Sequence, residues 1–264
     1  MIPTLRNNGL KGRVVLVASQ RSGKCIPSEL TQTFFAEEAI VYSSDSNPDI
    51  LKYVELDLEQ YLGMKPKTCP LEFHKPGAVE GLIRDIKEKE GRLDVLVTDF
   101  GLLEFVPHLK PFHLQTKQDW DSQFKCIVED TFVWSKAVIP IMIEQKFGRI
   151  IHITSEAARL GTPNMSVYAA AKSAVMGFTR SLAVELSGHN ITVNCVSLGI
   201  QEIEERNEKS QPSKSKLEKI RKTIPLKRFG EPEEIAWMVA YLASNLGAYI
   251  TGQNISVAGG MVMV

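Results

Sequence analysis

The chain predicts a doubly wound α/β fold with a parallel sheet, and three observations carry that reading. Short β-branched runs alternate with longer amphipathic stretches from one end of the sequence to the other, the rhythm of successive βαβ units. Arg13–Ala18, Leu93–Thr98, Arg149–Thr154 and Ile191–Ser197 are short runs rich in β-branched residues, and Leu93–Thr98 reads as a strand buried on both faces. Composition, at 44% hydrophobic and 23% charged over 264 residues, is that of a soluble chain able to bury one sizeable core. No linker, repeat or low-complexity tract interrupts residues 1–264, so a single domain is expected.

Element by element, Arg13–Ala18 is the first strand and Pro27–Ala39 the helix after it, with proline near the first turn where a missing N–H costs little. Ile40–Ser43 is the second strand, and Tyr53–Leu56 reads as a short third. Gln60–Lys75, punctuated by prolines, reads as an insertion behind it. Val79–Glu90 is a charged helix leading through Gly91 into the strand Leu93–Thr98. Asp119–Lys146 is a long helix expected to break or kink at Pro140. Arg149–Thr154, the helix Val167–Leu186, Ile191–Ser197, the helix Pro232–Ala243 and the strand Gln253–Val257 bring the count to seven strands. Glu202–Lys219 is dense in charge and reads equally well as a solvated loop or as a lid over substrate.

Several function classes are disfavoured. Lys and Arg number 31 against 31 Asp and Glu, so no net field draws the chain to nucleic acid or an anionic membrane. No apolar run approaches the ~18 residues of a bilayer span. Four scattered cysteines (Cys25, Cys69, Cys126, Cys195) have no metal-ligand spacing and suit a reduced, cytoplasmic location. His74, His108 and His113 fall in loops without ligand-spaced partners, so no metal is assigned, and His152 inside a strand reads as structural.

Ligands in such sheets bind beyond the carboxyl ends of the strands, near the topological switch point. There stand Thr154-Ser155 and, thirteen residues past Ser155, Tyr168-Ala169-Ala170-Ala171-Lys172. The i, i+4 spacing places the Tyr168 phenol and the Lys172 ammonium on one helical face. A phenol alone is a poor acid-base group at neutral pH; a cation one turn away favours the phenolate and brings proton transfer within reach. The Ser155 hydroxyl, at a strand end, can hold the same substrate oxygen.

These residues resemble the short-chain dehydrogenase/reductase family over nearly the whole chain. Val193-Asn194, the run Pro225–Ala236 (PLKRFGEPEEIA), Tyr241–Ser244, Ile250–Gln253 and Gly259-Gly260 extend the likeness, which is strongest toward the acyl-carrier-protein reductase-like branch. The resemblance implies a Rossmann-type, seven-stranded, three-layer α/β/α architecture. It implies NAD(P)-dependent interconversion of a small carbonyl and a secondary alcohol, and a homotetramer or homodimer, for which the apolar end Met261–Val264 would suit a subunit interface. By the same resemblance Tyr168 is the acid-base, Lys172 modulates it and holds the nicotinamide ribose, and Ser155 orients the carbonyl.

The sequence departs from the family around the cofactor. The family's first turn reads Thr-Gly-x-x-x-Gly-x-Gly, and here it is Ala18-Ser19-Gln20-Arg21-Ser22-Gly23-Lys24-Cys25. Gly23 alone remains, although Ser19 is small and Arg21 could meet either a 2′-phosphate or solvent. Phe100, before Gly101, replaces a small alanine and is expected to fill space beside the adenosine. Ile127 replaces an asparagine that supports the lysine through water, so that relay is expected to be missing. Leu198-Gly199 stands for Pro-Gly beside the nicotinamide, and Asp57-Leu58 matches an adenine-contacting position. Asp45, ending the second strand, leaves NAD and NADP both open. An intact trio beside an eroded cradle keeps a second reading in play: a cofactor-independent lyase or halohydrin-dehalogenase-like enzyme using Ser155 and Tyr168, with no dinucleotide at all. Against it, those dehalogenases carry arginine where this chain has Lys172. A non-catalytic subunit is the third reading, opposed by the intact trio.

Overall fold

Val14, Val15, Leu16, Val17 and Ala18 lose all solvent contact, as a strand sandwiched between helical layers should. The structure, a computed structural model, describes residues 8–20, 25–63, 65–101, 110–201 and 214–263. Its strands are β1 (Val14–Gln20), β2 (Ile40–Asp45), β3 (Lys67–Pro70), β4 (Val95–Phe100), β5 (Gly148–Ser155), β6 (Ile191–Leu198) and β7 (Asn254–Val257). They form one seven-stranded sheet, all parallel, in the order β3-β2-β1-β4-β5-β6-β7. The order reverses between β1 and β4, which is the switch point of a doubly wound sheet.

The helices are α1 (Cys25–Ala36), α2 (Pro48–Leu62), α3 (Ala78–Glu90), α4 (Lys117–Phe124), α5 (Asp130–Glu144), α6 (Ser166–Leu186), α7 (Lys214–Thr223) and α8 (Pro232–Ala243). On one face Leu30 and Phe34 of α1 and Ile235 and Val239 of α8 pack on Val15, Val17, Ile153 and Val196. On the other, Ile83 of α3, Trp134 of α5 and Leu182 of α6 cover Leu16, Leu96 and Val193. Alternate strand residues feed opposite layers, so each strand must be apolar throughout. Among the described residues no helix is long and apolar enough to cross a membrane.

Two elements differ from the sequence reading. Tyr53–Leu56 is not a strand; it lies inside α2, which starts at an Asn47 cap with Pro48 in the first turn and ends on left-handed Gly63. Ile50, Leu51, Val54 and Leu58 are buried at helical spacing, and a period near 3.6 outweighs a four-residue β-branched look. The true third strand, Lys67–Pro70, lies within the segment read as an insertion. Pro140, in turn, does not break the long helix but sits inside α5. The interruption comes earlier, where Lys125–Glu129 forms a π-helical turn between α4 and α5. Of the charged segment Glu202–Lys219, the residues from Lys214 onward belong to α7, and 202–213 lie outside the described residues.

Candidate active site

At the carboxyl ends of β4 and β5 one lysine bridges the two paired strands. Lys172, on α6 and 2% exposed, donates from Nζ to Phe100 O at 2.8 Å and to Ile153 O at 2.9 Å. The three alanines between Tyr168 and Lys172 allow α6 to lie close enough to the sheet for this reach. One turn back along α6, Tyr168 is buried, and its ring centroid is 5.9 Å from Lys172 Nζ. A cation one helical turn from a phenol is the arrangement that favours a phenolate. Ser155 closes β5 two residues beyond Ile153, and its Oγ accepts the Ala157 N–H at 3.2 Å, capping the short turn Glu156–Ala158. With that acceptor role filled, the hydroxyl proton remains to be donated to a substrate oxygen. The structure thus brings Ser155, Tyr168 and Lys172 to one end of β5 and α6.

Two neighbours set the surroundings. His152 is wholly buried, its Nδ1 2.8 Å from Thr98 Oγ1. Burial and the nearby Lys172 charge hold its imidazole down at about 3, so it stays neutral, as a structural strand histidine would. Ile127, in the π-helical turn, packs in one apolar cluster with Tyr168 and Ala171. It offers that cluster no hydrogen bond from its side chain, in keeping with the missing asparagine.

The cofactor candidates divide. Arg21 and Gly23 lie outside the described residues. Ser19, at the end of β1, is 1% exposed, and its hydroxyl donates to Asp45 Oδ2 at 2.6 Å, so that hydroxyl is engaged inside the fold. The other Asp45 oxygen accepts the Asn47 N–H at 2.8 Å; the acid at the end of β2 is therefore bound inward. Gly101 has φ +78°, donates to Gln20 O at the end of β1, and has no room for a side chain: a Cβ there would stand 2.5 Å from Ile127. Gly199 likewise packs against Ala258, where a Cβ would stand 2.7 Å from the neighbour's Cα. Both glycines are thus demanded by close packing at the strand ends.

Two sequence-based expectations at this end need correction. Asp57 and Leu58 do not follow the third strand. They sit on α2, where Asp57 accepts from Ser28 Oγ and from Gln32 Nε2 (2.6 Å) of α1, while Leu58 is fully buried. The mistaken strand at Tyr53–Leu56 misplaced them; β3 is instead followed by Leu71 and Glu72. Phe100 does not fill an adenosine space, because its ring turns into the core, 5.8 Å and edge-on from Phe73, which is in turn 5.2 Å from Trp134. His74, which has no ligand-spaced partner in the sequence, meets a carboxylate across the fold: its Nδ1 is 3.3 Å from Asp130 Oδ1. Burial pushes the Asp130 carboxyl up to about 7 and moves the His74 imidazole below its ordinary value.

Beyond the ends of β1, β2 and β3 lies a cavity of about 520 Å³, lined by Gln20, Ser46, Glu72, Phe73, His74 and Lys75. Its position and size suit the adenosine half of a dinucleotide. Four of these residues fall in the segment the sequence reading set aside as an insertion. Recognising Lys67–Pro70 as the third strand was the signal that could have found them.

Sheet order and site place the chain among doubly wound α/β enzymes that bind ligand at the strand ends. It belongs to the short-chain dehydrogenase/reductase family: the family model described as enoyl-(acyl carrier protein) reductase matches residues 13–262. It is similar to the 3-oxoacyl-(acyl-carrier-protein) reductase of Thermotoga maritima, with 33% identity covering 96% of this chain and 99% of that protein. The corresponding reductase of Synechocystis is 38% identical over 70% of this chain and 71% of its own. Among solved structures, a mutant short-chain dehydrogenase/reductase of Serratia marcescens superposes with a TM-score of 0.82 at 29% identity, covering 96% of this chain and 98% of that one. The chain is accordingly an NAD(P)-dependent oxidoreductase, and the lyase or dehalogenase-like alternative finds no support in these relatives.

Proposed function

We propose that this enzyme reduces a ketone to a secondary alcohol, with Tyr168 as proton donor, Ser155 as carbonyl holder and Lys172 as the cation that tunes Tyr168. The observation that carries this is Lys172 itself: a buried ammonium fastened to Phe100 O and Ile153 O, one helical turn from Tyr168, beside the strand end that carries Ser155. When bound, the nicotinamide cofactor supplies hydride. The chain's part is to donate a hydrogen bond from Ser155 Oγ to the carbonyl oxygen and to pass it the Tyr168 proton. The Lys172 charge stabilises the phenolate left behind. For the adenosine half, the cavity offers the Gln20 amide and the Ser46 hydroxyl. Gly101 and Gly199, at the ends of β4 and β6, would lie beside the rest of the cofactor, and Lys172 would hold the ribose. The relatives are named for 3-oxoacyl substrates, which makes a 3-oxoacyl thioester the first carbonyl to supply.

The enzyme is further proposed to assemble as a homodimer or homotetramer in the cytoplasm. Phe112 and Trp120, stacked 5.4 Å apart, and Phe124, Phe132 and Val133 leave apolar surface exposed along α4 and α5, which a second copy would cover. Purified protein given acetoacetyl-CoA with NADH and, separately, NADPH tests the reaction by the fall in 340 nm absorbance. Turnover with either cofactor is expected, and Lys172→Met is expected to abolish it. Millimolar cofactor that neither binds nor reacts would overturn the proposal.

A further inference from the structure

A second cavity, of about 400 Å³, opens beyond the ends of β6 and β7. Strand register ties it to the candidate active site. Ser155 pairs with Leu198, and Leu198 with Val257, so three neighbouring strands carry one row of residues at their carboxyl ends. Residues in such a row project from the same face. Here it is the α8 face, because Ile153, Val196 and Leu198 share a core cluster with Ile235 and Val239. Two interstrand spacings separate the first strand of the row from the third, about 10 Å. Val257, at the far end of the row, lines the cavity.

The walls say what it would hold. Ile224, Leu226, Phe229 and Met238 make it mainly apolar. Its two charges cancel each other, Arg228 gripping Glu234 with two hydrogen bonds of 2.7 and 2.5 Å. One group is left unpaired. Gln201 is 8% exposed, and among the described residues its Oε1 has no hydrogen-bond partner, while its Nε2 reaches Gly199 O only at 3.4 Å. The amide is built in, since a Cβ at Gly230 would stand 2.7 Å from that Oε1. A buried acceptor without a donor is uncommon in a folded protein and marks a place for one.

We propose that this cavity is the subsite for the distal part of the substrate. It would take a neutral, mostly apolar chain carrying a hydroxyl or amide N–H, which donates to Gln201 Oε1; the cavity-lining strand, about 10 Å from the strand of Ser155, sets the reach such a chain needs. The inference rests on the ketone-reductase reading of Ser155 and Tyr168 and adds to it a substrate class and the residue that selects it.

A matched pair of ketones tests it: 9-hydroxynonan-2-one, whose hydroxyl lies about that distance from its carbonyl, and decan-2-one, which puts a methyl in the hydroxyl's place. The enzyme is expected to favour the hydroxyketone in kcat/KM by about tenfold, the worth of one well-placed hydrogen bond. Gln201→Leu keeps the side chain's bulk and removes the acceptor, so it should bring the ratio to about one. Leu226→Trp, which narrows the cavity, should raise KM for both ketones. Calorimetric binding of nonane-1,8-diol, without cofactor, to wild type and Gln201→Leu provides a readout independent of turnover. Turnover of both ketones with equal kcat/KM in wild type overturns the subsite and leaves the reductase reading standing. Diol binding that Gln201→Leu weakens, with no turnover of any ketone, keeps the cavity and overturns the reductase reading. Neither turnover nor binding overturns both.

Discussion

The two ends of the ligand-binding edge are built differently. At β5 and α6, Ser155, Tyr168 and Lys172 come from two adjacent elements, and a single buried ammonium locks them to the ends of β4 and β5. At β1 to β3 the family's glycines are mostly gone, and the polar groups face one another: Ser19 holds Asp45, and Asp45 takes the Asn47 N–H. Chemistry at the first end depends on a few atoms at fixed spacing. Binding at the second, as proposed, would rest on the shape of the cavity beside Phe73 and His74, which many side chains can provide. The difference explains how a trio can stay whole beside a rewritten cradle.

That contrast can be broken in order of expected effect. Tyr168→Phe should lower kcat by about 10³-fold, the usual loss for a positioned proton donor, with the urea midpoint little changed. A loss of under tenfold would remove Tyr168 from the reaction. Phe100→Ala should cost about 3–4 kcal/mol of stability in urea unfolding, because the ring packs against Phe73 in the core. If the ring instead occupied cofactor space, the change would tighten NAD(P) binding at little cost in stability.

Asp130 offers a pH test at the cofactor end. Burial raises its carboxyl from 3.8 unfolded to about 7 folded, with the Lys125 charge opposing and Glu129 adding to the shift. Between those values the unfolded chain has released a proton that the folded chain keeps. Wild-type stability therefore falls as pH rises from about 4, and the whole cost is in place above about 7. Asp130→Asn removes the titration, so its stability relative to wild type should improve by roughly 2–3 kcal/mol between pH 5 and 8. A difference that stays flat across that range would show that Asp130 is ionised in the fold. The smallest effect is expected from Asp57→Ala: about 1 kcal/mol of stability from lost contacts to Ser28 and Gln32, with KM for NAD(P) unchanged. A rise in that KM would return Asp57 to the cofactor site.

Legibility in the sequence followed the same divide. Strands buried on both faces, such as Val14–Ala18, announce themselves as apolar runs, and the helix Pro232–Ala243 is read to the residue because Pro232 and the acids of its first turn mark the start. The third strand escaped notice. Lys67–Pro70 has four residues at the sheet edge, half covered, and ends in proline, so neither period nor apolar content marks it. With that strand hidden, Glu72, Phe73, His74 and Lys75 are not legible as residues that follow β3 and line a cavity, and Asp57 reads as following a strand although it sits on α2.

By itself, then, the sequence determined the doubly wound class and set the proposed trio in view, because both are written in local spacing: apolar runs, and a phenol and an ammonium four residues apart. Tertiary structure alone decided what surrounds them. That Lys172 binds two main-chain carbonyls, that Phe100 turns inward, that His74 meets Asp130 and that Gln201 is buried beside Gly230 all depend on residues far apart in the chain brought within a few ångströms. Such contacts leave no periodic trace in a chain, since they arise only when the sheet and its two helical layers close around a common core.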